Sequence, residues 1–166
     1  TTVKKKALNT LLEQLAEMAR ETASQACTNP EEAYLNILKH FEAEMGGKKE
    51  CFIMLGLDGR RRIIHHEVVS IGTLTATLVH PREVFKPAIV NNCSSIVVAH
   101  NHPSGDPNPS HEDRLLTERL CQAGKLLGIN LDDHLVIGKG CFVSLRQLGL
   151  LGDNGARFDK RTKQVI

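Results

Sequence analysis

The short apolar run Ser95–Ala99 ends in His100-Asn101-His102-Pro103, and that junction constrains the fold most. Two histidines at i and i+2 on extended backbone point to the same face of a strand. Their rings converge on one point, as a shared metal requires. Pro103 cannot donate to a ladder and stops the strand at once. The pair is therefore left at a sheet edge that a substrate can reach. A Pro-, Gly- and Asn-rich loop, 103–109, follows. A helix is expected over 111–127, with Leu115, Leu116, Leu120 and Leu127 facing inward.

Asp113 stands at the start of that helix. A His, His and carboxylate set leaves one position of a tetrahedral zinc for water, which is a catalytic arrangement rather than a structural one. On its own an HxH pair is more often two polar surface residues. Ser110-His111-Glu112-Asp113 likewise reads as an ordinary capping box, with Ser110 as N-cap to the Asp113 amide. The cap and the ligand are compatible. A fixed first turn fixes where the Asp113 carboxylate points, and the helix dipole favours negative charge there.

The rest of the chain supplies a sheet and its flanking helices. Residues 5–24 predict a helix with Leu8, Leu11, Leu12, Leu15 and Ala19 in one apolar stripe. That stripe is expected to bury against the mixed domain or a second copy of the chain. Asn29-Pro30 breaks it, and a second helix, 31–45, ends at Gly46-Gly47. Strands are expected at Cys51–Leu57, Arg62–Ile71 and Leu74–His80, the first two joined by the Asp58-Gly59 turn. A helix over 82–92 contains Pro87, which should kink or shorten it. Leu131–Ile137 and Cys141–Leu145 form a final hairpin. These elements divide the chain into a helical N-terminal appendage at 1–46, a mixed-sheet domain at 47–152 and a loose polar tail at 153–166.

Composition narrows the function. The net charge of +2 does not announce a nucleic-acid binder. Cys27, Cys51, Cys93, Cys121 and Cys141 contain no CxxC pair and read as buried free thiols in a reducing compartment. No apolar run is long enough to span a membrane, and no signal-peptide pattern opens the chain. A cytoplasmic protein with no membrane partner is expected. The first residue is not Met, so the chain reads as a fragment or a processed piece.

The spacing His100-x-His102-Pro103-x6-Ser110-x2-Asp113 resembles the JAMM (MPN-type) metalloprotease signature, His-x-His-Pro-x6-Ser-x2-Asp. With five residue types fixed, that match is specific where a lone HxH is not. Gly72-Thr73-Leu74, the run His80-Pro81-Arg82-Glu83-Val84-Phe85, the run Ala99–Asp106 and Asp133-His134-Leu135 are similar to the RadC branch of that superfamily, over about residues 50–150. The resemblance implies an α/β (α+β) fold, a mixed sheet flanked by helices in the three-layer JAMM/cytidine-deaminase-like arrangement. It implies Zn2+ on His100, His102 and Asp113, and hydrolysis of peptide or isopeptide bonds. Glu50, just ahead of the first core strand, would accept a proton from the zinc-activated water and pass it to the leaving amine. Ser110 would hydrogen-bond the water or the developing oxyanion.

Other readings stand beside these. Without the motif, Glu50 is a solvated charge after Lys48-Lys49. Glu67, its nearest rival, sits in mid-strand and does not match the pattern. His80 reads as a helix cap, His134 as a neighbour of the metal or a structural histidine, and His65 and His66 as exposed. Arg60-Arg61-Arg62 read as a solvated hairpin tip, and they are the first place to look for an acidic partner. RadC proteins commonly carry a helix-hairpin-helix DNA-binding region, but residues 1–46 lack its Gly-containing hairpin. The expected partner is a protein or peptide substrate, with a ubiquitin-like conjugate among the candidates and a homodimer as a further expectation. The alternative is a DNA-associated repair protein that binds or acts on nucleic acid. It is less favoured, because many nucleases use two metals and this chain has no basic, aromatic-interleaved surface.

Overall fold

The structure is a computed structural model that describes residues 7–8, 10–15, 25–72 and 79–152. Helix α1 spans Pro30–Met45. Its start is fixed by side chains that satisfy free helical amides. The Asn29 side chain accepts from the Glu32 amide at 2.8 Å, and the Glu32 carboxylate accepts from the Thr28 amide and hydroxyl. Five strands follow: β1 (Cys51–Leu57), β2 (Ile63–Ile71), β3 (Ser95–Asn101), β4 (Asn130–Ile137) and β5 (Phe142–Ser144). Helix α2 (Pro81–Val90) lies between β2 and β3, and α3 (His111–Leu127) lies between β3 and β4.

The strands form one mixed sheet in the order β2-β1-β3-β4-β5. Only β3 and β4 run parallel, joined by the crossover that contains α3. Alternation along the strands divides the core into two layers. Cys51, Ile53, Leu55 and Leu57 join Val97, Ala99, Leu135 and Ile137 on one face, beneath Ala33, Ile37, Phe41 and Met45 of α1. Phe52 and Met54 join Ile96, Val98 and Leu131 on the other face, beneath Val84, Phe85 and Ala88 of α2 and Leu120 of α3. The result is the expected mixed sheet flanked by helices. The boundary at 46/47 suggested by the sequence falls between α1 and β1, inside the first of these two clusters.

Several local expectations need correcting. The buried residues of α3 are Asp113, Thr117, Leu120 and Gly124, with Leu116 half-buried against the core; of the four leucines expected inward, Leu115 and Leu127 face out. Leu115 is 47% exposed and Leu127 is 49% exposed. The helix is rotated so that Asp113 faces the end of β3, and only Leu120 of the leucines lies wholly inside. Gly124 permits the close packing, since a Cβ there would strike the Ile129 carbonyl oxygen and crowd the Phe85 ring. Helix α2 continues three residues past Pro87 and ends at Val90. Of the five cysteines, Cys27, Cys51 and Cys93 are buried, Cys121 is half-buried and Cys141 is exposed.

Other expectations fall partly beyond the described residues. The strand read at Leu74–His80 lies mostly outside them, and its last two residues, Val79 and His80, are not in a strand. Residues 7–8 and 10–15 of the first helix are helical, and the rest of that segment is outside, as is the tail from Asp153. In the single chain Leu8, Leu11, Leu12 and Leu15 are between 51% and 55% exposed, so these four are not buried against the described residues.

Candidate metal centre

The end of β3 builds the site. Phe52 of β1 pairs with His100, and the His102 amide donates to the Ile137 carbonyl of β4 at 2.8 Å. Both rings of the pair project to one side, with their Nε2 atoms 3.1 Å apart. The loop after Pro103 turns back so that the Asp106 carbonyl accepts from His102 Nδ1 at 2.8 Å. A carbonyl can only accept, so His102 carries a proton on Nδ1, and of the two neutral tautomers the contact selects the one with a bare Nε2.

Asp113 reaches the same point from the first turn of α3. The capping box is present as read: Ser110 Oγ accepts from the Asp113 amide at 3.1 Å, and the Ser110 amide donates to Asp113 Oδ2 at 2.7 Å. Asp113 Oδ1 is 3.1 Å from His100 Nε2, and Oδ2 is 3.2 Å from His102 Nε2. Burial alone would raise the pKa of this carboxyl. Hydrogen bonding and charge from His100, with the two Ser110 bonds, outweigh that and hold it far below the usual carboxylate range.

Glu50 comes from the residue before β1, and its Oε1 lies 3.8 Å from His100 Nε2. Its backbone is held on both sides. The Glu50 carbonyl accepts from the Gly72 amide at 2.9 Å. The Asn101 side chain accepts from the Cys51 amide at 2.7 Å and donates to the Lys49 carbonyl at 3.0 Å. One ligand atom from each of Glu50, His100, His102 and Asp113 lies within 4.8 Å of the others. Donors around a tetrahedral zinc, with bonds of ~2.0–2.1 Å, stand about 3.3 Å apart. The 3.1–3.2 Å separations among His100, His102 and Asp113 fit that geometry.

Beneath His100 lies a polar chain in an apolar setting. His134 of β4 is fully buried, and its Nε2 is 2.8 Å from His100 Nδ1. Its Nδ1 is 2.7 Å from Thr117 Oγ1, which donates to the Asp113 carbonyl at 2.6 Å. Phe52 stacks on the His100 ring and meets the His134 ring edge-on. Burial, reinforced by His100, pushes the His134 pKa well below its usual value and keeps the ring neutral.

The structure thus brings together all the residues singled out by motif. Four other histidines are engaged elsewhere in the fold: His80 occupies the N-cap of α2 with no side-chain capping bond, His65 pairs with Glu67 at 2.9 Å, and His66 stacks on His40. Arg62 pairs with Asp58 at 2.7 Å and Arg61 approaches Asp132 at 3.9 Å, so two of the three arginines are engaged within the chain. Sequence reasoning missed Asn101 and Thr117. Asn101 is hidden as the variable position between the two histidines. Thr117 was legible as the residue one turn after Asp113, on the same helix face.

A mixed five-stranded sheet between helices, with a His/His/Asp/Glu group at the end of β3, defines a JAB-type domain with a candidate metal centre. Residues 27–150 match the family described as RadC-like JAB domain, and the chain belongs to that RadC family. A UPF0758 protein of Methanosarcina acetivorans is 45% identical over 141 residues, covering 85% of this chain and 60% of that protein. A UPF0758 protein of Methanosarcina mazei is 55% identical over 104 residues, covering 63% of this chain and 45% of its own length. Another, from Symbiobacterium thermophilum, is 55% identical over 102 residues, 61% of this chain and 44% of that protein. The chain spans at most about three-fifths of these curated relatives. Among the described residues no helix is long and apolar enough to cross a membrane.

Proposed function

We propose that this chain is a zinc-dependent hydrolase of peptide or isopeptide bonds, with His100, His102 and Asp113 as the ligands and Glu50 as the general acid/base. The carrying observation is the spread of distances. Three donors stand 3.1–3.2 Å from their neighbours, whereas Glu50 Oε1 stands 3.8 Å from His100 Nε2. On this reading Glu50 borders the three-ligand set, and a water would take the fourth position of the zinc.

Zinc on these ligands supplies a Lewis acid that draws the pKa of a water towards about 7. Glu50 is placed to take a proton from the water and deliver it to the departing amine nitrogen. Ser110 Oγ uses a lone pair on the Asp113 amide and keeps its hydroxyl proton to donate towards the water or a developing oxyanion. Asp113 is fixed by its cap before any ligand arrives, so little rearrangement accompanies metal uptake.

The neighbouring surface supports a peptide over a nucleic acid. A cleft of about 610 Å³ has His102–Gly105 as its floor, α1 as one wall and Ile137–Gly140 as the other. It carries one carboxylate, Glu42, and one ammonium, Lys139, among apolar groups such as Tyr34 and Leu38. Phosphate backbones require an excess of cations along their track, and this cleft offers none. An extended chain in the cleft would bring a scissile amide to the edge of the metal centre.

The test is hydrolysis by the zinc-loaded chain against a panel of linear peptides, isopeptide-linked conjugates of a ubiquitin-like modifier, and single- and double-stranded DNA. Cleavage of an amide by wild type and not by Glu50→Gln supports the reading. Cleavage of DNA that survives Glu50→Gln would overturn it.

A further inference from the structure

We propose that Thr117 and His134 form a positioning relay that fixes the ring tautomer of His100, keeping its Nε2 free for a metal. The inference rests on the reading of His100 as a ligand and adds what sets its proton.

The argument runs from proton counting. A threonine hydroxyl has one proton. Thr117 Oγ1 is 2.6 Å from the Asp113 carbonyl, which can only accept, so the proton lies on that bond. The second contact of the hydroxyl, 2.7 Å to His134 Nδ1, must then be donated by the ring. A neutral imidazole has a single N–H, so His134 Nε2 is bare. That atom is 2.8 Å from His100 Nδ1, which must donate to it. His100 therefore carries a proton on Nδ1, and in the neutral ring this leaves Nε2 bare, aimed at the point shared with His102 and Asp113.

Run backwards, the same chain would close the site. If Thr117 gave its proton to His134 Nδ1, His134 would donate from Nε2 to His100 Nδ1. The His100 proton would then sit on Nε2, between Asp113 Oδ1 and His102 Nε2. The Asp113 carbonyl selects the productive direction by attracting the threonine proton. His134 and Thr117 are both 0% exposed, so no solvent group competes for either proton. The two histidines are thus oriented by different means, His102 by a loop carbonyl one bond away and His100 by a carbonyl three bonds away. That distant carbonyl belongs to Asp113, so the relay also ties two ligands on separate elements. Partners beyond the ligands typically change metal affinity 10- to 100-fold when removed, on the order of the effect expected here.

The experiment uses the full chain, zinc-free, at about pH 8, where histidine rings are ordinarily neutral. Nitrogen-15 spectra of the imidazoles should show Nδ1 protonated in both His100 and His134, with Nε2 of His134 bare. A His100 ring with its proton on Nε2 and a bare Nδ1 would overturn the relay. Thr117→Val keeps the shape and removes the hydroxyl. It should shift both rings towards the Nε2–H form and weaken zinc binding roughly 10- to 100-fold in a chelator competition, while Thr117→Ser restores both. Unchanged ring spectra and zinc affinity in a folded Thr117→Val chain would also overturn the relay. Should Thr117→Val fail to fold, the wild-type ring spectra and Thr117→Ser still decide. If wild type binds no zinc, the zinc reading fails, and the ring spectra judge the relay separately.

Discussion

Asn101 Oδ1 accepts from the Cys51 amide at 2.7 Å, a buried bond that spans fifty residues of chain. The other end of the same side chain donates to the Lys49 carbonyl. A residue between two candidate ligands on β3 therefore holds both neighbours of the candidate base. The alternation of the strand makes this economical: His100 and His102 point towards Asp113, and Asn101 points away from them, into the end of β1.

Replacement of Asn101 by Leu should leave zinc content unchanged and lower turnover. Loss of the clamp strands a buried Cys51 amide, at a cost of about 1–3 kcal/mol of stability. A displacement of the base on the order of 1 Å can cost about 10²-fold in rate. Denaturant titration reads the first effect. Once a cleaved amide is in hand, a fall in kcat with little change in KM reads the second. Wild-type turnover in Asn101→Leu would show that the clamp does not position Glu50.

The orientation of α3 can be checked by stability alone. Leu120 is wholly buried, whereas Leu115 is 47% and Leu126 is 89% exposed. Leu120→Ala should cost about 2–5 kcal/mol. Leu115→Ala and Leu126→Ala should each stay within about 0.5–1 kcal/mol of wild type. Equal losses at positions 115 and 120 would mean that the leucine row faces the core after all.

Thiol chemistry gives a prediction with a definite pH dependence. Burial pushes the Cys27 thiol up to about 12, aided by the Asp132 and Glu32 carboxylates. Burial likewise pushes Cys51 and Cys121 up to about 11. The thiolate is the reactive form, so a raised pKa means slower alkylation at any pH below it. With iodoacetamide at about pH 8 and native conditions, exposed Cys141 should be labelled first. Cys27 should be labelled only on unfolding, and peptide mapping distinguishes them. Rapid native labelling of Cys27 would contradict its placement beneath α1.

Much of this architecture is legible in the residues themselves. Asn29-Pro30 and Gly46 bracket α1, and Asp58-Gly59 marks the β1–β2 turn, because caps and turns impose local chemistry on local residues. Cys51–Leu57 reads as a strand along its whole length, and Ser110 with Asp113 gives both the cap and the start of α3. Local pattern fails where a distant partner decides. The buried face of α3 is chosen by Asp113 and Thr117, whose reason for being inside lies on β3 and β4. A leucine count cannot register that. Asn101 is silent for the same kind of reason, since its partners lie about fifty residues away. The apolar stripe of Leu8, Leu11, Leu12 and Leu15 is clear in the sequence, and in the single chain these four leucines stay about half exposed.

The central claim is that His100, His102 and Asp113 hold zinc and Glu50 does not. The most direct measurement is the zinc content of folded, zinc-loaded and desalted protein for wild type, Asp113→Ala and Glu50→Gln. The account predicts about one zinc per chain in wild type and in Glu50→Gln, and about none in Asp113→Ala. A folded wild-type chain that retains no zinc, or a Glu50→Gln chain that loses it, would contradict the account.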